Sequence, residues 1–544
     1  MKNINVILIY MLLLVAMSAI IIPLLLLVVF RMPARYGMTI AALSVLSLAA
    51  IIWQMDSLAL GASILQGVHR ALTILWILLG AISLLNTLKV TGALERIKSG
   101  FFTISRDMRV QVVLVGLLFV SLLEGLAGFG APVAIAAPLL LSLGFRPMAA
   151  IVLTLIGDTI AVAFGAVGTP VLLGLSNVPS FTEPGFVGAI AQIITRIDVL
   201  IACMLPLVMV ATLVFGFGED KKARSWQALR EVLPWTLLVG ATYALSSLLF
   251  ALWLTPEFIS IASSGVTLLV ATITAHKNVL LRADASWRTH RTAATRTSDH
   301  NKMSLILAWL PYIFVIGALV ATRLVPSVSE MVAAVDLSWK QILGYESISS
   351  TWLVLASPGT ILALAALLAF MLRPASAMKS LQSIKDTGRM IVISAMALLP
   401  TLIMVQIFIN SGFNSASLTS MPEYIARSLA GIFGSNWLLI APFLGMLGAF
   451  ITGSSTVSTL TMAPIQHSIA LGAGLPTDLV LAQQVSGAAA GNMVAVHNIV
   501  AASTVVGIHH QEGRVIRRLI PAVITYLVLG TIGALAVYYF GLSG

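Results

Sequence analysis

An all-α polytopic membrane protein, with about 12 full spans and two re-entrant hairpins arranged as two inverted-topology repeats, is the fold this sequence predicts. Composition is the first reason: 59% of the 544 residues are hydrophobic and only 9% are charged, where a soluble domain carries roughly a quarter charged residues. The second is a series of membrane-length apolar runs joined by short basic connections. The third is a pair of apolar runs broken at their centres by glycine, proline and polar residues at matched spacing.

Taken in order, the runs at 5–30, 36–54 and 71–88 read as opening spans. The stretch Ile4–Phe30 follows Lys2 as a signal peptide would, but it exceeds the roughly 7–15 apolar residues of such a segment and is expected to remain as the first span. A broken segment at 110–144 follows, then spans at 147–172, 193–216, 233–254, 258–275, 304–324, 352–373 and 389–410. A second broken segment at 432–473 precedes the last two spans, 479–507 and 519–541. The expected divisions are N-terminal spans 1–70, a first repeat 71–217 with hairpin 110–144, connecting spans and cytoplasmic loops 218–388, and a second repeat 389–544 with hairpin 432–473. The polar stretch 276–302 reads as a flexible cytoplasmic linker between the halves.

The net charge of +11 sits in short connections rather than in a patch fit for nucleic acid, so it reads as a topology signal. If both broken segments leave on the side they enter, one side receives 25 of the 31 Lys and Arg residues. That side is then cytoplasmic, and both termini lie outside. The single cysteine, Cys203, lies in an apolar run and excludes both a disulfide framework and a cysteine metal cluster.

The two broken segments follow one plan. Gly128 precedes Gly165 by 37 residues and Gly453 precedes Gly491 by 38, and each pair encloses a hairpin tip, a Gly/Pro turn and a span that breaks again. Inverted repeats whose broken helices meet near the midplane build the substrate sites of many transporters. In hydrocarbon, such breaks are tolerated only where protein or a polar cavity satisfies the freed backbone groups. Packing of ordinary helices through glycine is the competing role for these residues.

These same segments resemble the L-lactate permease family. The resemblance rests on Leu-Glu-Gly-Leu-Ala-Gly-Phe-Gly-Ala-Pro-Val-Ala-Ile (123–135), Leu-Gly-Phe-Arg-Pro (143–147), Val-Ala-Phe-Gly-Ala-Val-Gly-Thr-Pro (162–170) and Pro-Phe-Leu-Gly-Met-Leu-Gly-Ala-Phe-Ile-Thr-Gly-Ser (442–454). It implies a multi-pass protein of the bacterial inner membrane that imports small 2-hydroxy monocarboxylates, such as lactate and glycolate, by proton symport. The sequence departs from the family's pattern at Ser455, where the pattern has Asp, at Asn492, where it has Lys, at Val496 and His497, where a Pro-Gln pair is expected nearby, and at Asp158, where Asn is frequent. Losing both members of an ion pair costs less than losing one.

An intramembrane carboxylate is a functional candidate by default, so Glu124 and Asp158 are expected to carry the coupling proton, against the alternative of structural hydrogen bonding. The hairpin tips Gly128, Phe129 and Gly130, and Gly453, Ser454, Ser455 and Thr456, are candidates for binding substrate through backbone N–H groups and hydroxyls; helix capping is the alternative for the latter. Asn492 and His497, at the second break, are candidates for substrate binding as well, a satisfied core histidine being the alternative for His497. Arg196 could grip a carboxylate bidentately, a position the resemblance supports, or anchor a helix end at the headgroups.

No His-Glu-x-x-His, Gly-x-Ser-x-Gly or clustered metal ligands support an enzyme, and no cofactor is expected. Two inverted broken halves do not suit a channel filter. The serious rival is a sodium-coupled transporter of another organic anion, a dicarboxylate or sulfonate. Oligomeric state stays open.

Overall fold

The computed structural model describes residues 10–30, 32–126, 128, 130–218, 224–282, 287, 303–373, 377–508 and 510–541. Phe129 and most of the expected linker 276–302 lie outside the described residues. The fold is helical; among the described residues, extended pairing is limited to isolated bridges such as Asp336 with Leu353 and Trp339 with Ser350. Among the described residues, eight helices are long and apolar enough to cross a membrane, or up to 11 if each of three bent pairs is one span. The helical, multi-span architecture is as expected, with fewer spans among the described residues than the 12 expected of the whole chain.

Several expected spans change shape for identifiable reasons. The run at 5–30 bends by 61° between Tyr10–Ala16 and Ser18–Leu27. The run at 71–88 belongs to a 35-residue helix, Ser57–Thr91. Its polar first half is helical because tertiary partners satisfy it: Gln66 donates to Ser349 O at 2.8 Å, and His69 contacts Ser350 Oγ at 2.8 Å and Leu337 O at 3.0 Å. The run at 193–216 divides at Asp198 into Phe186–Ile197 and Val199–Phe217. The entering arm of the first hairpin, Met108–Leu126, is 19 residues long and is itself long enough to span a membrane.

Exposed apolar stripes and close glycine contacts show how the helices are oriented and packed. On Leu233–Trp253, Leu245, Leu249 and Leu252 form an exposed apolar stripe, while Trp235, Val239 and Tyr243 face inward. Membrane helices gain little from hydrophobic burial against one another and pack instead through small residues. Gly487 and Gly491 do this on Thr477–Val494, where a methyl group would strike the backbone of Pro442 and of Met446 on Trp437–Thr452. At the foot of the first hairpin, the fully buried Arg109 donates to Asp107 Oδ2 at 2.6 Å, Glu231 Oε2 at 3.0 Å and Ala228 O at 2.6 Å. One guanidinium thus ties the start of the arm to the segment around residue 230.

Candidate functional site

The first hairpin descends through Val112–Phe119, a fully buried π-helical stretch, into Val120–Leu126, which carries Glu124. Beyond the tip, Gly130 takes φ +79° and Ala131–Ser142 turns back. The following span, Pro147–Val162, breaks and resumes as Gly165–Leu172 with a 55° bend. Ala166 and Val167 are left-handed there, at φ +45° and +58°. Such a conformation in a β-branched residue costs on the order of 1–3 kcal/mol and is found mainly where function holds it. Gly165 leaves room for Glu124, because a methyl group at this position would overlap the Glu124 carboxylate.

The second hairpin repeats the plan. Trp437–Thr452 ends at Gly453, φ +68°, and Ser455–Ala473 begins behind Ser454, whose Oγ accepts from Val457 N at 3.3 Å. His497 packs so closely on Gly453 that any side chain there would displace the ring. The next span, Thr477–Val494, resumes after a 40° bend as Val496–Val506. Both breaks lie among buried residues, Ala163, Phe164 and Ala166 at the first and Val494, Ala495 and Val496 at the second.

The two tips enclose one small cavity. Glu124 and Gly128 come from the first hairpin, Gly165, Ala166 and Thr169 from the first broken span, Gly453 to Thr456 from the second tip, and Asn492 from the second broken span. Across it, the hydroxyls of Thr169 and Thr456 stand 3.2 Å apart. The space for a water centre is about 30 Å³, enough for one or two waters and too little for an organic acid.

The cavity's polar wall is acidic and hydroxylic. Asp158 Oδ2 accepts from Asn492 Nδ2 at 3.4 Å, and Asn498 Nδ2 donates to Asn492 Oδ1 at 2.8 Å. The Glu124 and Asp158 carboxyl groups meet one another, and Ser455 Oγ is buried without a hydrogen-bond partner among the described residues. No Lys, Arg or His is among the residues lining the cavity. The N-terminal end of Ser455–Ala473 lines the cavity, and its first-turn N–H groups and helix dipole favour an anion there.

Of the expected site residues, Glu124, Gly128, Gly453, Ser454, Ser455, Thr456 and Asn492 meet at the cavity. Asp158 lies one hydrogen bond behind Asn492, His497 lies against Gly453, and Gly130 lies beside Asn498. Phe129 lies outside the described residues. Arg196 does not join them: it occupies the last turn of Phe186–Ile197, half-buried, with Nη2 3.5 Å from Gln192 Oε1. Thr169 and Asn498 were not expected; each sits beside a break, within Gly-Thr-Pro and His-Asn respectively, which is the one signal that marked them.

A family model described as L-lactate permease matches residues 13–540. The chain belongs to the L-lactate permease family. It is 28% identical to the putative L-lactate permease of Haemophilus influenzae over 93% of this chain and 94% of that protein. It is 28% identical to the L-lactate permease of Escherichia coli K12, over 91% and 90%, and 25% identical to glycolate permease GlcA of the same strain, over 86% and 85%. This permease is thus a multi-pass membrane protein. Three of the positions where its sequence departs from the family resemblance, Asp158, Ser455 and Asn492, gather in one place: Ser455 and Asn492 line the cavity and Asn492 contacts Asp158.

Proposed function

We propose that this permease imports small 2-hydroxy monocarboxylates, lactate or glycolate, by proton symport with alternating access. The observation that carries the reading is the single cavity closed by two broken segments of like plan, in a chain whose relatives are named lactate and glycolate permeases. The carboxylate binds at the N-terminal end of Ser455–Ala473, where Ser455 and Thr456 offer hydroxyls; the 2-hydroxyl is met by Asn492 or Thr169.

Glu124 and Asp158 serve as the proton carriers, supported by their burial and by the contact between their carboxyl groups. Two carboxyl groups in one dry site are held more cheaply with a proton between them than as two charges. Loading that proton lowers the negative charge that an incoming anion must meet, which links the two binding events. The segments 71–217 and 389–544 act as inverted repeats that rock or slide about the cavity. The basic loops face the cytoplasm and the termini face outside. Uptake of labelled lactate and glycolate into proteoliposomes tests this, with pH and sodium gradients imposed separately. Uptake driven by sodium and indifferent to pH would replace the proton with sodium and favour another organic anion.

A further inference from the structure

A second polar cleft lies where Val496–Val506, the resumed half of the second broken span, meets the start of Ala34–Ile51 and the start of Glu512–Tyr539. Arg35, Ser503, Thr504, His510 and Glu512 supply its polar lining, and Ala397 of Ala377–Asn410 lines its apolar side. Val496–Val506 is 11 residues long, about 16 Å, and connects the break beside the central cavity to this cleft. His510 is exposed, which puts the mouth of the cleft at the surface. Arg35 belongs, like residues 514–518, to the basic connections that charge bias assigns to the cytoplasm.

Two donors in this lining lack an acceptor. The Arg35 guanidinium lies over the Tyr36 ring, 4.6 Å from its centroid, and makes no hydrogen bond or ion pair among the described residues; its Nε is buried. Ser503 is 2% exposed, and its Oγ is likewise buried without a partner. The next hydroxyl on the same helix bonds back to the preceding turn, Thr504 Oγ1 donating to Val500 O at 2.8 Å, so the open hydroxyl of Ser503 is not a helical default. An N–H and an O–H kept from water without an acceptor are costly. A carboxylate answers both, because it accepts from a guanidinium and a hydroxyl at once. Stacking on Tyr36 orients the planar fork for such a partner. Glu512 does not supply that carboxylate: it opens a 28-residue helix, whose N-terminal dipole offsets its charge, and it is engaged elsewhere.

We propose that Arg35 and Ser503 form a second anion site, at the cytoplasmic end of the second broken span, which takes the carboxylate of the transported acid; this rests on the reading of the permease as an importer of small monocarboxylates. The empty space, mouth included, is about 290 Å³, and the enclosed part takes about one water. The acid is therefore held by its carboxylate end, with the remainder toward solvent. An anion leaving the central cavity meets a fixed positive charge there on its way to the cytoplasm.

The test compares half-saturating concentrations at the two faces, using right-side-out and inside-out membrane vesicles with labelled lactate or glycolate. Arg35→Gln should raise the half-saturating concentration at the cytoplasmic face at least tenfold, as expected for loss of a hydrogen bond to a charged ligand, and leave the outer value within about twofold. Arg35→Lys should lie between, since it keeps the charge and loses the fork. Ser503→Ala should raise the cytoplasmic value about fivefold. Wild-type vesicles that carry neither acid overturn the reading on which the site rests, and the site with it. Transport by wild type with an unchanged cytoplasmic value in Arg35→Gln, or with equal changes at both faces, overturns the cleft alone. Should Arg35→Gln not fold, Ser503→Ala decides: an unchanged cytoplasmic value overturns the site. In proteoliposomes of phosphatidylcholine alone, the Arg35→Gln effect should persist; an effect that appears only with added phosphatidylglycerol assigns the cleft to a lipid phosphate and overturns the proposal.

Discussion

Thr169 and Thr456, 287 residues apart, hold their hydroxyls 3.2 Å from one another across the cavity. One hydroxyl sits on the resumed half of the first broken span and the other in the first turn of the helix behind the second tip. The contact therefore joins the two broken segments across the cavity.

Thr169→Val keeps the shape and removes the hydroxyl. A neutral hydrogen bond of this kind contributes about 1 kcal/mol, so initial uptake in proteoliposomes should change by roughly fivefold with expression unaltered. Thr456→Val should have a similar effect, and the double variant should fall short of the sum, since contacting residues are not additive. Full additivity would mean that the two hydroxyls act separately.

Gly165 is required by Glu124 rather than by its own backbone. Gly165→Ala should strongly reduce uptake because the added methyl overlaps the Glu124 carboxylate. Combining it with Glu124→Asp, whose side chain is one methylene shorter, should recover part of the loss. A Gly165→Ala variant with wild-type uptake would show that Glu124 can vacate this position at no cost.

Arg109 is fully buried between Asp107 and Glu231. Arg109→Met leaves both carboxylates unpaired, a change that costs about 3–5 kcal/mol at a buried ion pair. The expected result is a large fall in Tm and loss of the monodisperse peak in size-exclusion chromatography, with Arg109→Lys intermediate because an ammonium lacks the planar fork.

Arg196 lies apart from the cavity, half-buried in the last turn of its helix. Arg196→Ala should leave the apparent affinity for lactate within about twofold of wild type, in line with a surface substitution. A tenfold loss of affinity would bring Arg196 to the substrate in another conformation of the transport cycle.

The positions of the breaks were legible in the sequence, because glycine, proline and a carboxylate inside an apolar run have few uses other than a polar cavity. The pairing of the breaks was legible from the 37- and 38-residue spacings. What lines the cavity from the far side was not. Thr169 reads as one more threonine in an apolar segment until the fold sets Thr456 against it. The long helix Ser57–Thr91 was hidden for the opposite reason: Gln66, His69 and Arg70 interrupt its hydropathy, and the partners for Gln66 and His69 lie some 270 to 280 residues away. Arg196 was ambiguous in the sequence because a cation near a helix end suits a carboxylate and a headgroup equally well.

Topology can be read directly from the outside. In a Cys203→Ser background, cysteine at the exposed Asn278 should react only with reagent applied to the cytoplasmic face, and cysteine at the exposed Ser327 only with reagent applied to the opposite face. Reaction of both from one side would remove a crossing between them, while a full reversal would invert the orientation inferred from the basic loops.

Whether Glu124 carries the proton that drives accumulation is tested most directly by one comparison. Proteoliposomes containing wild type or Glu124→Gln are given an inward pH gradient, and labelled lactate is followed over time; the same vesicles, preloaded with lactate and without a gradient, report exchange. Glutamine keeps the shape of the side chain and cannot titrate. Wild type should accumulate lactate above equilibrium, whereas Glu124→Gln should exchange lactate yet never exceed equilibrium. Gradient-driven accumulation by Glu124→Gln at the wild-type level would contradict the account, and its loss in Asp158→Asn alone would move the proton to the neighbouring carboxylate.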